Sequence, residues 1–178
     1  MVNRQRTARR VAGAVLIVTA LVSGFHWSPR LAEAAADTQV AEVLFADHEQ
    51  AACRARARDF DVDRVREVYA CLVFPGLQGT HYAQLTFVSP DGNVYQTMTV
   101  PFATLDAPPA KSTVLVAGRH HTVKRAGQRG HGEAVITATL PVAGTHITQH
   151  NLVGLWTVKV SLNGRPVDWG EFYLHRRR

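Results

Sequence analysis

Residues 152–174, LVGLWTVKVSLNGRPVDWGEFYL, carry two runs of alternating apolar and polar side chains on either side of Asn163-Gly164. Successive side chains of a β-strand point to opposite faces, so Trp156, Val158 and Val160 share one face and Thr157 and Lys159 the other. Asn-Gly between two such runs is a strong hairpin signal, because both residues tolerate the positive φ of a type I′ turn. A two-residue loop sets Val160 opposite Val167, Lys159 opposite Asp168 and Val158 opposite Trp169. That register would bring Glu171 against Trp156. One extra residue puts Phe172 there instead, so a β-bulge is expected at Trp169–Glu171. Trp156 and Trp169 then both face the core, where neither serves as a platform for a sugar ring.

The period of two recurs along the chain. Segments 39–46, 66–74, 81–89, 93–102, 112–118 and 133–140 are rich in β-branched and aromatic residues, and with 152–162 and 166–174 they make about eight short strands. Ser-Pro-Asp-Gly at 89–92 reads as a type I turn closing a hairpin, with a bulge at Gly92. Short strands at this spacing form a sandwich or a barrel. One stretch dissents: residues 47–67 are polar and rich in Ala and Arg, and read as a loop or a short helix. Ala107–Lys111, APPAK, reads as a break between two halves of the fold.

Residues 1–36 have the organisation of a secretory signal: Arg4, Arg6, Arg9 and Arg10, then an apolar stretch over 11–22, then Ala34-Ala35-Ala36 as the cleavage site. The expected domains are therefore a signal peptide, 1–36, and one sandwich domain, 37–178, with transient membrane contact through the signal alone. An uncleaved anchor is the alternative, although the apolar stretch falls short of the roughly 20 residues that span a bilayer. The signal changes the meaning of the charge. The whole chain has a net charge of +6, but residues 37–178 hold fifteen Lys and Arg against thirteen Asp and Glu, a net charge of +2. That is no body-wide basic field, and nucleic acid is not an expected partner. Cys53 and Cys71, an even pair without zinc-like spacing, read as a disulfide in an oxidising, periplasmic or extracellular, compartment.

Gly154, Trp156, Val158, Val160, Asn163, Gly164, Val167, Phe172 and Leu174, together with the SPDGNVYQT hairpin, resemble the closing strands and an earlier hairpin of bacterial exported immunoglobulin-like sandwich proteins. The resemblance implies an all-β, immunoglobulin-like antiparallel β-sandwich of about seven or eight strands. Such modules are often uncharacterised, or serve adhesion and assembly. The motifs are structural, so no functional residue comes with them. The Cys53 and Cys71 arrangement and the long basic loop depart from the antibody pattern of two cysteines bridging the sheets.

Residues 118–133, GRHHTVKRAGQRGHGE, are the richest stretch in binding chemistry and are expected to be a basic hairpin loop. His120, His121 and His131 are candidate metal ligands. In an extended segment, however, His120 and His121 point to opposite faces, and no carboxylate or cysteine completes a set. Arg119, Lys124, Arg125 and Arg129 are candidate anion contacts for a glycan or phosphate, although the loop lacks aromatics for stacking. His146 and His150, four apart, share a face as a surface pair. Asp59, Asp61 and Asp63 share a face on an extended segment, as a calcium site would need. They lack a turn glycine and read as an acidic loop balanced by Arg54, Arg56, Arg58 and Arg64.

Ser89, Ser112 and Ser161 occupy turn or strand positions, with no Gly-x-Ser-x-Gly elbow. No catalytic residue and no cofactor are therefore expected. The expected function is that of a non-catalytic exported interaction or structural module with a protein or glycan partner in the envelope or outside the cell. The alternative is an anionic-glycan- or metal-binding protein using residues 119–131.

Overall fold

A computed structural model describes residues 42–104, 113–130 and 132–177. The segment 1–36, the Ala107–Lys111 break, Ser112, His131 and Arg178 lie outside these residues. Each of the eight alternating segments is a strand: β1 (Glu42–Ala46), β3 (Glu67–Pro75), β4 (Thr80–Val88), β5 (Val94–Ala103), β6 (Thr113–Val116), β10 (Glu133–Pro141), β11 (Gly154–Leu162) and β12 (Arg165–His175). Four short strands complete the chain order, β2 (Asp59–Asp61), β7 (Arg119–Thr122), β8 (Lys124–Arg125) and β9 (Gly127–Arg129). One short helix, α1 (His146–Gln149), lies between β10 and β11. No helix among the described residues is long and apolar enough to cross a membrane.

One sheet runs β1-β3-β10-β9 and is antiparallel throughout. The other runs β2-β12-β11-β4-β5-β8, antiparallel except where β2 joins β12 and β8 joins β5. β6 and β7 pair with each other. With the short β9 as strand D, and apart from β2, β8 and that hairpin, the order is A-B-E-D in one sheet and G-F-C-C′ in the other, the arrangement of an immunoglobulin domain. The fold is an immunoglobulin-like antiparallel β-sandwich.

Alternation supplies the core. Phe45, Ala70, Leu72, Phe74, Ile136 and Leu140 from the first sheet meet Leu85, Phe87, Trp156, Val158, Phe172 and Leu174 from the second, all buried. A large apolar side chain so placed contributes about 1.5–3 kcal/mol relative to exposure. The Phe172 ring lies 5.1 Å from Phe45, 5.9 Å from Phe60 and 6.0 Å from Trp156. The buried Trp156 indole N–H donates to the Leu152 carbonyl at 3.1 Å.

The expected disulfide is present, but on the far side of the first sheet. Cys71 points outward from β3 and bonds Cys53, 18 positions away in sequence, with Cα atoms 5.3 Å apart. Around it Leu44, Ala46, Ala52, Val73 and Val135 form a second apolar layer. The loop-or-helix stretch 47–67 thus holds a 3₁₀ turn at Glu49–Ala51 and the short strand β2. The cross-link ties the start of this stretch to β3. A loop of this size, closed covalently, stabilises by on the order of 3 kcal/mol in the chain-entropy model.

The Asn-Gly turn forms as the sequence implies, with positive φ at both Asn163 (51°) and Gly164 (81°). Asn163 is also held from β4, because the Tyr82 N–H donates to its Oδ1 at 3.1 Å. The bulge, however, lies earlier than expected. Ser161 pairs with Pro166 and Val160 with Asp168, so Val167 is the extra residue and Trp169–Glu171 is regular. Pro166 has no N–H to give the ladder, and the slip is absorbed beside it. Phe172 still reaches Trp156 as expected, but Lys159 faces Trp169 rather than Asp168. A one-residue slip reverses the faces of the residues beyond it, so Trp169 is 59% exposed and not on the core side.

Two glycines let the layers close. Gly154 has φ of 132°, and a Cβ there would lie 2.9 Å from Pro90 Cβ, so it seats β11 against the Ser89–Gly92 turn. In that turn the Asp91 carboxylate accepts hydrogen bonds from Ser89 Oγ and from Asn93, which hold its carboxyl below the ordinary value near 3.8. Gly170 of β12 faces β1, where an added Cβ would stand 2.7 Å from Val43 Cγ1 and 3.1 Å from Phe45. Gly170→Ala is therefore expected to destabilise the domain by about 1–3 kcal/mol through overpacking. Val43→Ala in the same chain should recover part of that loss. Urea unfolding of the three variants checks both, and an unchanged midpoint in Gly170→Ala would contradict the close approach.

Candidate functional site

The basic stretch 118–133 is not one solvated loop. Its turn lies at Ala117-Gly118, and β7 runs back along β6, with Arg119 opposite Val116, His120 opposite Leu115 and His121 opposite Val114. β8 then adds Lys124 and Arg125 to the edge of β5, and β9 adds Gly127–Arg129 to β10. The chain passes from one sheet to the other here. Ala126 makes this possible: its side chain is buried and its N–H donates to the Ala103 carbonyl at 2.9 Å.

This crossing divides the candidate cations. Arg129 is a structural residue: its guanidinium lies 2.8 Å from Glu42 of β1 and 3.0 Å from Glu133 of β10, and also reaches the Cys53 carbonyl at 3.4 Å. The hydrogen bonds it donates to Glu42, and then to Glu133, raise its pKa above the ordinary value. Glu42 is shared with Arg56. Arg119, Lys124 and Arg125 are exposed and take part in no ion pair among the described residues. His120 is exposed and His121 half-buried, consecutive on β7 and so on opposite faces. His121 and Lys124 line a groove of about 390 Å³ with Met98, Val100, Thr137 and Thr139.

The acidic stretch is engaged as well. Asp61 lies 3.6 Å from Arg64 and 3.8 Å from Arg177, and Asp63 lies 3.1 Å from Arg176. Part of its counter-charge thus comes from the end of β12, far along the sequence. No group of three or more His, Cys, Asp or Glu stands close enough to hold a metal among the described residues. Ser89 Oγ donates to Asp91 and to the Asn93 carbonyl inside its turn, and Ser161 lies on β11. His146 and His150 stack with ring centroids 3.7 Å apart.

A different surface emerges on the outer face of the larger sheet. Trp169 and Tyr173 of β12 and Leu155 of β11 are 59%, 44% and 49% exposed, with Tyr173 directly opposite Leu155 and Trp169 opposite Lys159. Beside them the face is polar: Thr86 and Thr97 hydroxyls meet at 3.3 Å, and the Gln84 amide donates to Thr99 at 3.4 Å. Trp169 also borders a cleft of about 280 Å³ lined by Glu42, Arg56, Arg58, Asp168 and Gly170. Simple alternation hides this surface; the proline after Asn-Gly is the sequence signal that reveals it.

No family model matches the chain, and no curated protein does. Among solved structures it is similar to an alkylpurine DNA glycosylase of Pseudomonas fluorescens bound to abasic DNA (8% identity, TM-score 0.43), covering 79% of this chain and 31% of that one. It is similar to an immunoglobulin-like protein from Pseudomonas aeruginosa (11%, TM-score 0.40), covering 78% of this chain and 96% of that one. It is also similar to a putative β-galactosidase from Bacteroides fragilis (14%, TM-score 0.34), covering 63% and 14%. The chain thus spans less than a third of the glycosylase and a smaller part of the galactosidase.

The separation of Arg129 from the other cations has a measurable consequence. Arg129→Gln is expected to lower stability by about 1 kcal/mol, the scale of a partly exposed ion-pair network. Arg125→Gln should stay within about 0.5 kcal/mol of the parent. Paired urea titrations distinguish them, and equal midpoints would show that Arg129 has no structural role.

Proposed function

We propose that this protein is a non-catalytic exported module that works by binding, with the exposed Trp169, Tyr173 and Leu155 face of the larger sheet as its contact surface. The partner is a protein or glycan in the envelope or outside the cell. The observation that carries this reading is the exposure of Trp169: a large aromatic held on the outer face of a sheet is costly in water and favourable in an interface. The Cys53–Cys71 disulfide supports an extracytoplasmic, periplasmic or secreted location, since such bonds persist in oxidising compartments. The charged N-terminus and apolar stretch of residues 1–36 support export in the same sense. A photoreactive amino acid at position 169, in cells that express the protein, is expected to give a discrete higher-mass adduct that the same probe at exposed Arg54 does not. Equal labelling at both positions, or none at 169, would refute the face.

A second reading is an anionic glycan held by Arg119, Lys124 and Arg125, favoured by their exposure without an ion pair among the described residues. Replacing all three by Gln should lower the salt needed to elute the protein from heparin. Identical elution would dismiss this reading without touching the first.

A further inference from the structure

The short helix α1 presents a pair of imidazoles that neither the aromatic face nor the basic strands use. His146 and His150 are four apart, the spacing that places two side chains on one helical face. Both are exposed, with ring centroids 3.7 Å apart and planes inclined by 33°. The backbone beneath them is pinned. The His150 N–H donates to the His146 carbonyl at 2.9 Å, and Thr145 Oγ1 accepts from the Ile147 N–H at 3.2 Å while donating to the Val142 carbonyl at 2.7 Å. Ile147 is fully buried and anchors the turn to the core.

We propose that His146 and His150 form a two-imidazole chelate for a borderline divalent transition-metal ion, with copper(II) preferred over nickel(II) and zinc(II). Metal–nitrogen bonds of about 2.0–2.1 Å at ordinary coordination angles put two ligand nitrogens about 3 Å apart. Rings already side by side reach that separation by small side-chain rotations, and the pinned turn reduces the ordering that binding requires. Imidazole suits these metals, and the preference for copper follows the general order of divalent affinities. Because no group of three or more potential ligands gathers among the described residues, the pair supplies two positions only. The rest are left to water or to a donor from another molecule, as in an exchangeable site and not in a closed structural one. His120 and His121, on opposite faces of β7, offer no such chelate.

The test is a titration of the purified full-length protein with copper(II) ion alone, in a non-coordinating buffer, followed by calorimetry and electron paramagnetic resonance. The parent is expected to bind one ion with a spectrum that shows two imidazole nitrogens. His146→Ala and His150→Ala should each weaken binding at least about tenfold, the scale of losses seen when a metal site is disturbed. The double variant should bind no more tightly than either single one, because each single variant keeps one ring and the double variant neither. A His120→Ala/His121→Ala protein serves as the control and should bind as the parent does. Parent-like binding by the single variants, or loss of the site in the control, would overturn the proposal. The exposed positions allow folding to be verified by tryptophan fluorescence in each case.

Discussion

The packing around Phe172 is what the rest of the domain depends on. Its ring touches Phe45 from the opposite sheet, Phe60 from β2 and Trp156 from the neighbouring strand. One side chain therefore joins the two layers and the short strand within the disulfide-closed loop. Gly170, two positions earlier on the same face, lets β1 come close enough for Phe45 to reach that ring. An antibody domain uses a disulfide between its sheets for this purpose. Here aromatic contact occupies the interior, and the disulfide has moved outside.

That displacement gives the smaller sheet two covered faces. Ala70, Cys71, Leu72, Val73 and Phe74 are all fully buried, alternating between the main core and the layer that Cys53 closes. Arg129 fastens the same region electrostatically, through Glu133 on the adjacent β10 and Glu42 on β1. Among the described residues the larger sheet is covered on one face only. Its outer surface leaves Trp169, Tyr173 and Leu155 exposed.

Much of the fold was legible because it is written locally. Alternation marked the eight principal strands, Asn163-Gly164 and Ser89–Gly92 marked their hairpins, and two cysteines in a chain with an export-like N-terminus marked the disulfide. The candidate site was legible only as a list of residue types. Arg119, Lys124, Arg125 and Arg129 look alike in sequence, yet the crossing at Ala126 puts the first three in water and the fourth between two carboxylates. The orientation of Trp169 was misread for a related reason. A bulge beside Pro166 and one near Gly170 both bring Phe172 to Trp156, and they differ only in the face given to the residues between.

The sequence by itself determined the β class, the hairpin turns, the inward face of β11 and the cysteine pair. Each follows from side-chain period or from the φ preferences of single residues. Tertiary structure alone decided where the extra residue of β12 was absorbed, which arginine became structural and which aromatics stayed outside. Those outcomes depend on contacts between strands far apart in the chain. A close approach such as Gly170 to Val43, or an ion pair such as Arg129 to Glu42, exists only once both sheets have formed and packed.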